Sequence, residues 1–525
     1  MTAHSEKRRL GYLIAGSAEH LRAAFCKYKR EIRVFFFVFA MFSPLFLFAL
    51  PHYASDSYVI LGHMSDHARA FLGSFRFFGA LLIRVRALFG EPVSFPLPDA
   101  AFYVLILSLS VAALSLFLEK SCRLTGLPLR LTALFAVCTS AVNVSAGSVL
   151  CFPECIFVSG VGFFCCFSAL IVFFGAKKRG WRYLLGGALL IAAVGVYQQF
   201  LSVFILYAAL IVTARRLSED ETDGPAAALV SYLEAAVFVA ASSALYYLLA
   251  KGAQKLSGIA PNPRASLHAA SVLEGIRYYV AEQRSVLGGE GLFRTGMLRV
   301  GFYALFLFWA VSALTYLIRN RREMRGGRLV KTLLLLLAPP FAYWFAFLPG
   351  FVSDSRNVRV ILAVFAAFAL FGVSGAVMAG RKTAAWAFAL LLCFVFVLQM
   401  GKTVEMFSDE VVTNAVEQTL ARQYLQEIER YEAREGQTVE RIAFHFDGHP
   451  DCNRSMHLSG GGPDALGCDW GVSGLFRFVS GGRYFQAEML SDEAYARIFA
   501  DADFKVFDPQ TQMVFSGDTL YLSVY

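Results

Sequence analysis

Three carboxylates stand beside apolar segments of the chain. Asp56 falls within LPHYASDSYVIL (50–61), directly after the apolar run 32–50, and Asp66 follows in the same loop. Glu154 interrupts SVLCFPECIF (148–157). One carboxylate beside an incoming hydroxyl is enough to take its proton when the group being displaced already leaves easily. Glycoside hydrolysis, by contrast, needs two carboxylates at a set separation. Each residue also has an ordinary reading. Asp56, between two serines after Pro51, fits a solvated turn. Glu154 fits the end of a turn at Pro153, although a carboxylate at a span edge is costly and points to function.

A second group of residues suits anions and hydroxyls. Arg356 and Arg359 in SDSRNVRVIL (353–362), and Arg76 in HARAFLGSFRFFGALLIRVRALF (67–89), lie among apolar neighbours. Arginine there either grips a phosphate through paired hydrogen bonds or snorkels to lipid headgroups. Tyr197 and Gln198 in GVYQQFLSVFIL (195–206) either meet sugar hydroxyls or cap a helical hairpin. The cluster His445, Asp447, His449, Asp451, Cys452 and His457 matches no zinc spacing, and DADF (501–504) is a weak echo of the Asp-x-Asp of nucleotide-sugar enzymes. P-loop, dinucleotide, HExxH and GxSxG motifs are absent.

The elements that must position these residues are membrane helices. Of the 525 residues, 57% are hydrophobic and only 17% charged, and the mean hydropathy is +0.55. Repeated apolar runs long enough to cross roughly 30 Å of hydrocarbon imply a polytopic α-helical membrane protein. We read about eleven spans: 32–50, 101–119, 130–147, 154–175, 182–196, 198–213, 228–250, 300–318, 331–349, 358–379 and 384–400. The net charge of +9 reads as topology rather than nucleic-acid binding, since Lys and Arg cluster between spans. With the N-terminus inside, the basic clusters near Lys120, Lys177, Arg215, Arg321 and Arg381 share the cytoplasmic side. No cleavable signal peptide is expected, so the first span would remain as an anchor.

The expected organisation is a basic cytoplasmic segment (1–31), a membrane domain (32–401) and an outer α+β domain (402–525). Outer loops 51–100 and 251–299 belong to the membrane domain, and 67–89 suits one helix lying in the interface. In the tail, 408–433 has helical spacing, while RIAFHFD, LFRFVS and TLYLSVY read as strands. Cys452 and Cys468 are the candidate disulfide if the compartment is oxidising, as a bacterial periplasm is.

Taken together, SDSY after the first span, the Arg-bearing interfacial segment, GVYQQFLSVF, RNVRVILAVFAAFAL and KTVEMFSDEVVTNAVEQTLARQYLQEIERYE resemble the bacterial O-antigen-type glucosyltransferases, membrane enzymes of the GT-C superfamily. The resemblance spans most of the chain as scattered short motifs. It implies transfer of a sugar from a polyprenyl-phosphate carrier to a lipid-linked or surface polysaccharide, on the outer face of the bacterial inner membrane. Carried over, Asp56 becomes the base, Arg359 or Arg356 the phosphate ligand, and Tyr197 and Gln198 the hairpin. The chain departs from the pattern twice. It has Asp56-Ser57 where paired acids are expected, leaving Asp66 or Glu154 to supply a second carboxylate, and Phe75-Arg76 where Gly-Arg is common.

The expectation is therefore a glycosyltransferase, with glucose the sugar the resemblance favours. Its donor is a polyprenyl-phosphate sugar and its acceptor a polysaccharide or glycolipid. Membrane lipid is a partner, nucleic acid is not, and oligomeric state is open. No cofactor is firmly implied, and a divalent metal at Asp56 and Glu154 remains an alternative without support. The rival class is a transporter or flippase for a lipid-linked sugar, which usually carries repeated halves and midplane polar residues.

Overall fold

Apolar runs bounded by proline become helices: Pro98, Pro128, Pro153 and Pro225 each occupy a first-turn position, where the missing N–H costs nothing. The computed structural model describes residues 26–61, 63–90, 93–218, 224–262, 296–322, 326–346, 358–446, 465–499 and 508–524. Helix α1 (Lys29–Phe42) continues as a 3₁₀ segment (Ser43–Ala49), followed by three short helices, α2 (Ser55–Ile60), α3 (Met64–Gly73) and α4 (Phe77–Ala87). Then come α5 (Leu97–Ser121), α6 (Leu127–Ala141), α7 (Val144–Leu150), α8 (Pro153–Gly175), α9 (Arg179–Val196) and α10 (Gln199–Ser218). Helices α11 (Pro225–Ser257), α12 (Gly296–Asn320), α13 (Gly327–Phe345), α14 (Val358–Ala379) and α15 (Lys382–Glu435) complete the helical part.

Among the described residues, seven helices are long and apolar enough to cross a membrane, and eight if α6 and α7 form one span. The chain is a polytopic helical protein. Helices lie at all eleven expected places, but α9 and α14 are shorter over their apolar described parts and α13 is not among the seven.

Three local expectations are corrected. The run 130–147 is not one straight helix: α6 and α7 meet at 41°. There Asn143 caps α7 by accepting from the Ala146 N–H at 2.9 Å, and Gln399 accepts from the Val144 N–H at 3.1 Å. Broken helices of this kind are tolerated where polar side chains satisfy the released backbone groups. The stretch 67–89 is two helices, broken at Phe75, whose φ is +63°. LFRFVS is not a strand but the end of α16 (Asp469–Val479). Its buried residues Val472, Leu475 and Phe476 follow a helical period.

The remaining elements are β1 (Arg441–Phe446), β2 (Gln486–Met489), α17 (Asp492–Ile498), α18 (Pro509–Gln512), β3 (Met513–Ser516) and β4 (Thr519–Val524). The sheet order is β2-β1-β4-β3. β1 runs parallel to both neighbours, with Arg441 opposite Gln486 and Thr519, and β3 pairs antiparallel to β4, with Met513 opposite Leu522. No chain break marks the expected boundary at 401/402, because α15 crosses it and ends at Gly436 in the left-handed region.

One apolar core fills the helical bundle, and a second joins α15, α16 and the sheet. Tyr58 of α2 belongs to the second core. The segment carrying Asp56 is thus packed into the C-terminal unit as well as the bundle. Asn414 ties them further, its Oδ1 accepting from the Tyr53 N–H at 2.6 Å and its Nδ2 donating to the Tyr53 carbonyl at 2.7 Å.

Candidate functional site

At the end of the bundle that carries the C-terminal sheet lies a cavity of about 180 Å³. Its polar members are Asp56, His67, Arg76, Ser145, Ser148, Cys155, Ser159 and the Tyr103 and Tyr197 rings. Phe71, Val158, Phe163, Val196, Phe200 and Leu362 make the apolar side. The bend between α6 and α7 brings Ser145 and Ser148 to the wall.

Asp56 sits in the first turn of α2, exposed, so it is helical rather than part of an open loop. Next to it Ser57 donates its hydroxyl to Glu154 Oε2 at 2.9 Å and accepts from the Ala54 N–H at 3.2 Å. Glu154, 2% exposed, lies in the first turn of α8, where the helix dipole favours negative charge. The serine that replaces an expected second acid therefore connects Asp56's helix to the buried carboxylate. His52 holds the same approach: its Nδ1 meets the Leu50 carbonyl at 2.8 Å and its Nε2 the Leu150 carbonyl at 3.0 Å. Asp66 is in the first turn of α3 but exposed, and it does not line the cavity.

Arg76 lies between two rings, 5.2 Å from the Phe71 centroid and 4.7 Å from that of Tyr197. Its Nε is buried with no hydrogen-bond partner among the described residues. The aromatic faces stabilise the cation but leave its donors for a ligand.

The backbone break that aims Arg76 is itself held. Helix α3 ends with carbonyls that lack intrahelical donors, and side chains reach them in turn. Gln254 Nε2 donates to Leu72 and Gly73 at 2.9 and 3.2 Å, and Gln198 Nε2 to Ser74 at 2.9 Å. The Tyr246 hydroxyl donates to Phe75 at 2.9 Å. Gln198 is thus a positioning residue outside the cavity, while Tyr197 is part of the wall.

His67, Cys155, Gln254, Tyr246 and Trp470 carry no motif that singles them out in the sequence. The spacing of Met64, His67, Ala68 and Phe71 was the available signal for His67, since those positions share a helical face. Burial, reinforced by the charge of Arg76, pushes the His67 imidazole down to about 4, so it is neutral at pH 7. His67, Glu154 and Cys155 each offer a ligand atom, all within 4.8 Å of one another. These are types zinc accepts, but the neighbouring guanidinium of Arg76 opposes a cation there.

From the C-terminal unit, the Trp470 Nε1–H donates to Asp56 Oδ1 at 3.0 Å. Nearby, burial pushes the Cys468 thiol up to about 12. Arg356 and Cys452 lie outside the described residues, as do 263–295, Asp447, His449, Asp451, His457 and DADF. So does the Arg359 side chain, although Arg359 lies in the first turn of α14, three residues before cavity-lining Leu362. The His445 ring stacks on Tyr495, centroids 3.8 Å apart. No family model, curated protein or solved structure matches the chain.

Proposed function

We propose that the chain is a glycosyltransferase that takes a sugar from a polyprenyl-phosphate donor and adds it to a polysaccharide or glycolipid hydroxyl. The observation that carries this reading is that Asp56 and Arg76 line one cavity with an extended apolar wall. A donor of this class has an anionic phosphate between a polar sugar and a hydrocarbon tail, and the cavity supplies counterparts for all three. Arg76 takes the phosphate with Arg359 as the further candidate, the apolar wall takes the first prenyl units, and Asp56 faces the sugar's reacting end.

The acceptor oxygen attacks C1 as the C1–O bond to phosphate breaks. The bonding pair leaves with the polyprenyl phosphate, whose charge Arg76 balances, and the acceptor proton passes to the Asp56 carboxylate. A single displacement inverts the anomeric centre. Glu154, hydrogen-bonded to Ser57, orients α2 rather than touching the reacting atoms. The resemblance to O-antigen-type enzymes favours glucose and the outer face of a bacterial inner membrane.

The test is transfer in proteoliposomes from synthetic polyprenyl-phosphate glucose to a lipid-linked glycan, for wild type and Asp56→Asn. Loss of transfer by at least about a hundredfold, as removal of a general base produces, in a normally folded variant supports the reading. Undiminished transfer in Asp56→Asn removes Asp56 from the chemistry. Transbilayer movement of the lipid-linked sugar with no transfer, by the wild type, favours the flippase instead.

A further inference from the structure

We propose that Trp470 and Asp56 together form a subsite for one pyranose ring of a neutral acceptor glycan, so that the C-terminal unit completes the site. The proposal rests on the transferase reading and specifies the acceptor that reading leaves open.

Asp56 is shared between two surroundings. It lines the cavity, and its Oδ1 also accepts from Trp470, 414 residues away in sequence. A base that takes the acceptor's proton must lie within hydrogen-bond reach of the acceptor hydroxyl. Trp470 touches Asp56 without being part of the cavity wall.

Trp470 is 43% exposed, although it lies in the first turn of a helix whose Val472, Leu475 and Phe476 are fully buried. The apolar core therefore does not account for this indole. Its place relative to Asp56 is nonetheless fixed. A Cβ added to Gly474 would lie 3.0 Å from the Tyr58 Cβ and the Val59 N, so glycine lets α16 seat directly on α2. Tyr58 also stacks on Tyr53, ring centroids 5.0 Å apart, and packs against Phe478.

The chemistry selects a sugar. A pyranose presents a C–H face that rests on an aromatic ring and hydroxyls at its edge that donate to a carboxylate. An exposed indole beside an exposed carboxylate offers both at once. An anionic group would be repelled by Asp56, which separates this subsite from the Arg76 end of the cavity. The indole N–H takes one carboxylate oxygen and leaves the second for the acceptor proton.

The experiment uses the full chain in nanodiscs, titrated with a panel of neutral oligosaccharides, for wild type, Trp470→Ala and Trp470→Phe, followed by transfer kinetics. Wild type is expected to bind at least one oligosaccharide, and Trp470→Ala to weaken it by roughly tenfold. Trp470→Phe, which keeps a stacking face but loses the donor, should retain most of the binding. In transfer, Trp470→Ala should raise the acceptor KM and leave the donor KM unchanged, a split that mere loss of docking would not produce. Equal binding and equal acceptor KM in wild type and Trp470→Ala overturn the proposal, as does a wild type that binds no oligosaccharide. Trp470-dependent binding without any transfer keeps the subsite and removes the transferase reading.

Discussion

Arg86 and Arg76 stand at opposite ends of α4 and meet different surroundings. Arg86 is buried, donating through Nε to Asp99 Oδ1 at 2.6 Å and through Nη1 to the Gly90 carbonyl at 3.1 Å. The pair staples α4 to the start of α5. Arg76, at the other end, meets two ring faces and has a buried Nε with no hydrogen-bond partner among the described residues. The first guanidinium has a carboxylate of its own. The second is half-buried between two rings and keeps its Nε without a hydrogen-bond partner among the described residues, as the proposed phosphate role requires.

The strongest way to break this comparison is Asp99→Ala. It strands Arg86 as an uncompensated buried charge and should cost about 3–5 kcal/mol of stability, read as a fall in the unfolding midpoint, with transfer per folded molecule unchanged. If Arg76→Ala destabilises the protein as much, Arg76 is structural too and the contrast collapses.

Next in size is the pH response of His67, whose pKa falls from 6.5 to about 4 on folding. Between those values the unfolded chain binds the proton and the folded chain does not. The contribution is present above pH 6.5 and is lost as pH drops toward 4, by roughly 3 kcal/mol in all. His67→Gln should flatten that part of the stability-pH profile, and an unaltered profile would place His67 in contact with water.

Smallest is Arg76→Ala itself, which on the proposed reading removes a charge-assisted bond to the donor phosphate worth about 1.5–3 kcal/mol. The donor KM should rise about tenfold to a hundredfold, with the unfolding midpoint unmoved. Arg76→Lys should recover only part of this, because an ammonium keeps the charge but not the planar fork.

Long-range character was legible in the sequence where the physics is additive along the chain. Apolar runs, bounding prolines and basic clusters marked the helices, and β1 and β4 followed from RIAFHF and TLYLSV. Asp56, Arg76 and Tyr197, each singled out by sequence, line a common cavity. What escaped was set by tertiary contacts. LFRFVS alternates as a strand does, but α16 obeys a helical period because one side of it packs on α2 and the other on the sheet. The break in 67–89 carries no proline or glycine at its centre. Phe75 adopts φ +63° there, a conformation costing about 1–2 kcal/mol for an L-residue, and Gln254, Gln198 and Tyr246 offset it by binding the freed carbonyls. Trp470 could not be connected to Asp56 from sequence at all, since nothing local couples residues so far apart.

Helix α15 runs for 54 residues without interruption, roughly 80 Å at 1.5 Å per residue. Such an element acts as a lever with one arm in the bundle and the other under the sheet. Tilting the lever by about 5° about its middle moves each end by roughly 3–4 Å, more than a hydrogen bond can follow. Because α16 packs on the C-terminal part of α15, such a tilt has a mechanical route to the indole that touches Asp56. The seat of α16 on α2 is the brace that such a force would have to overcome.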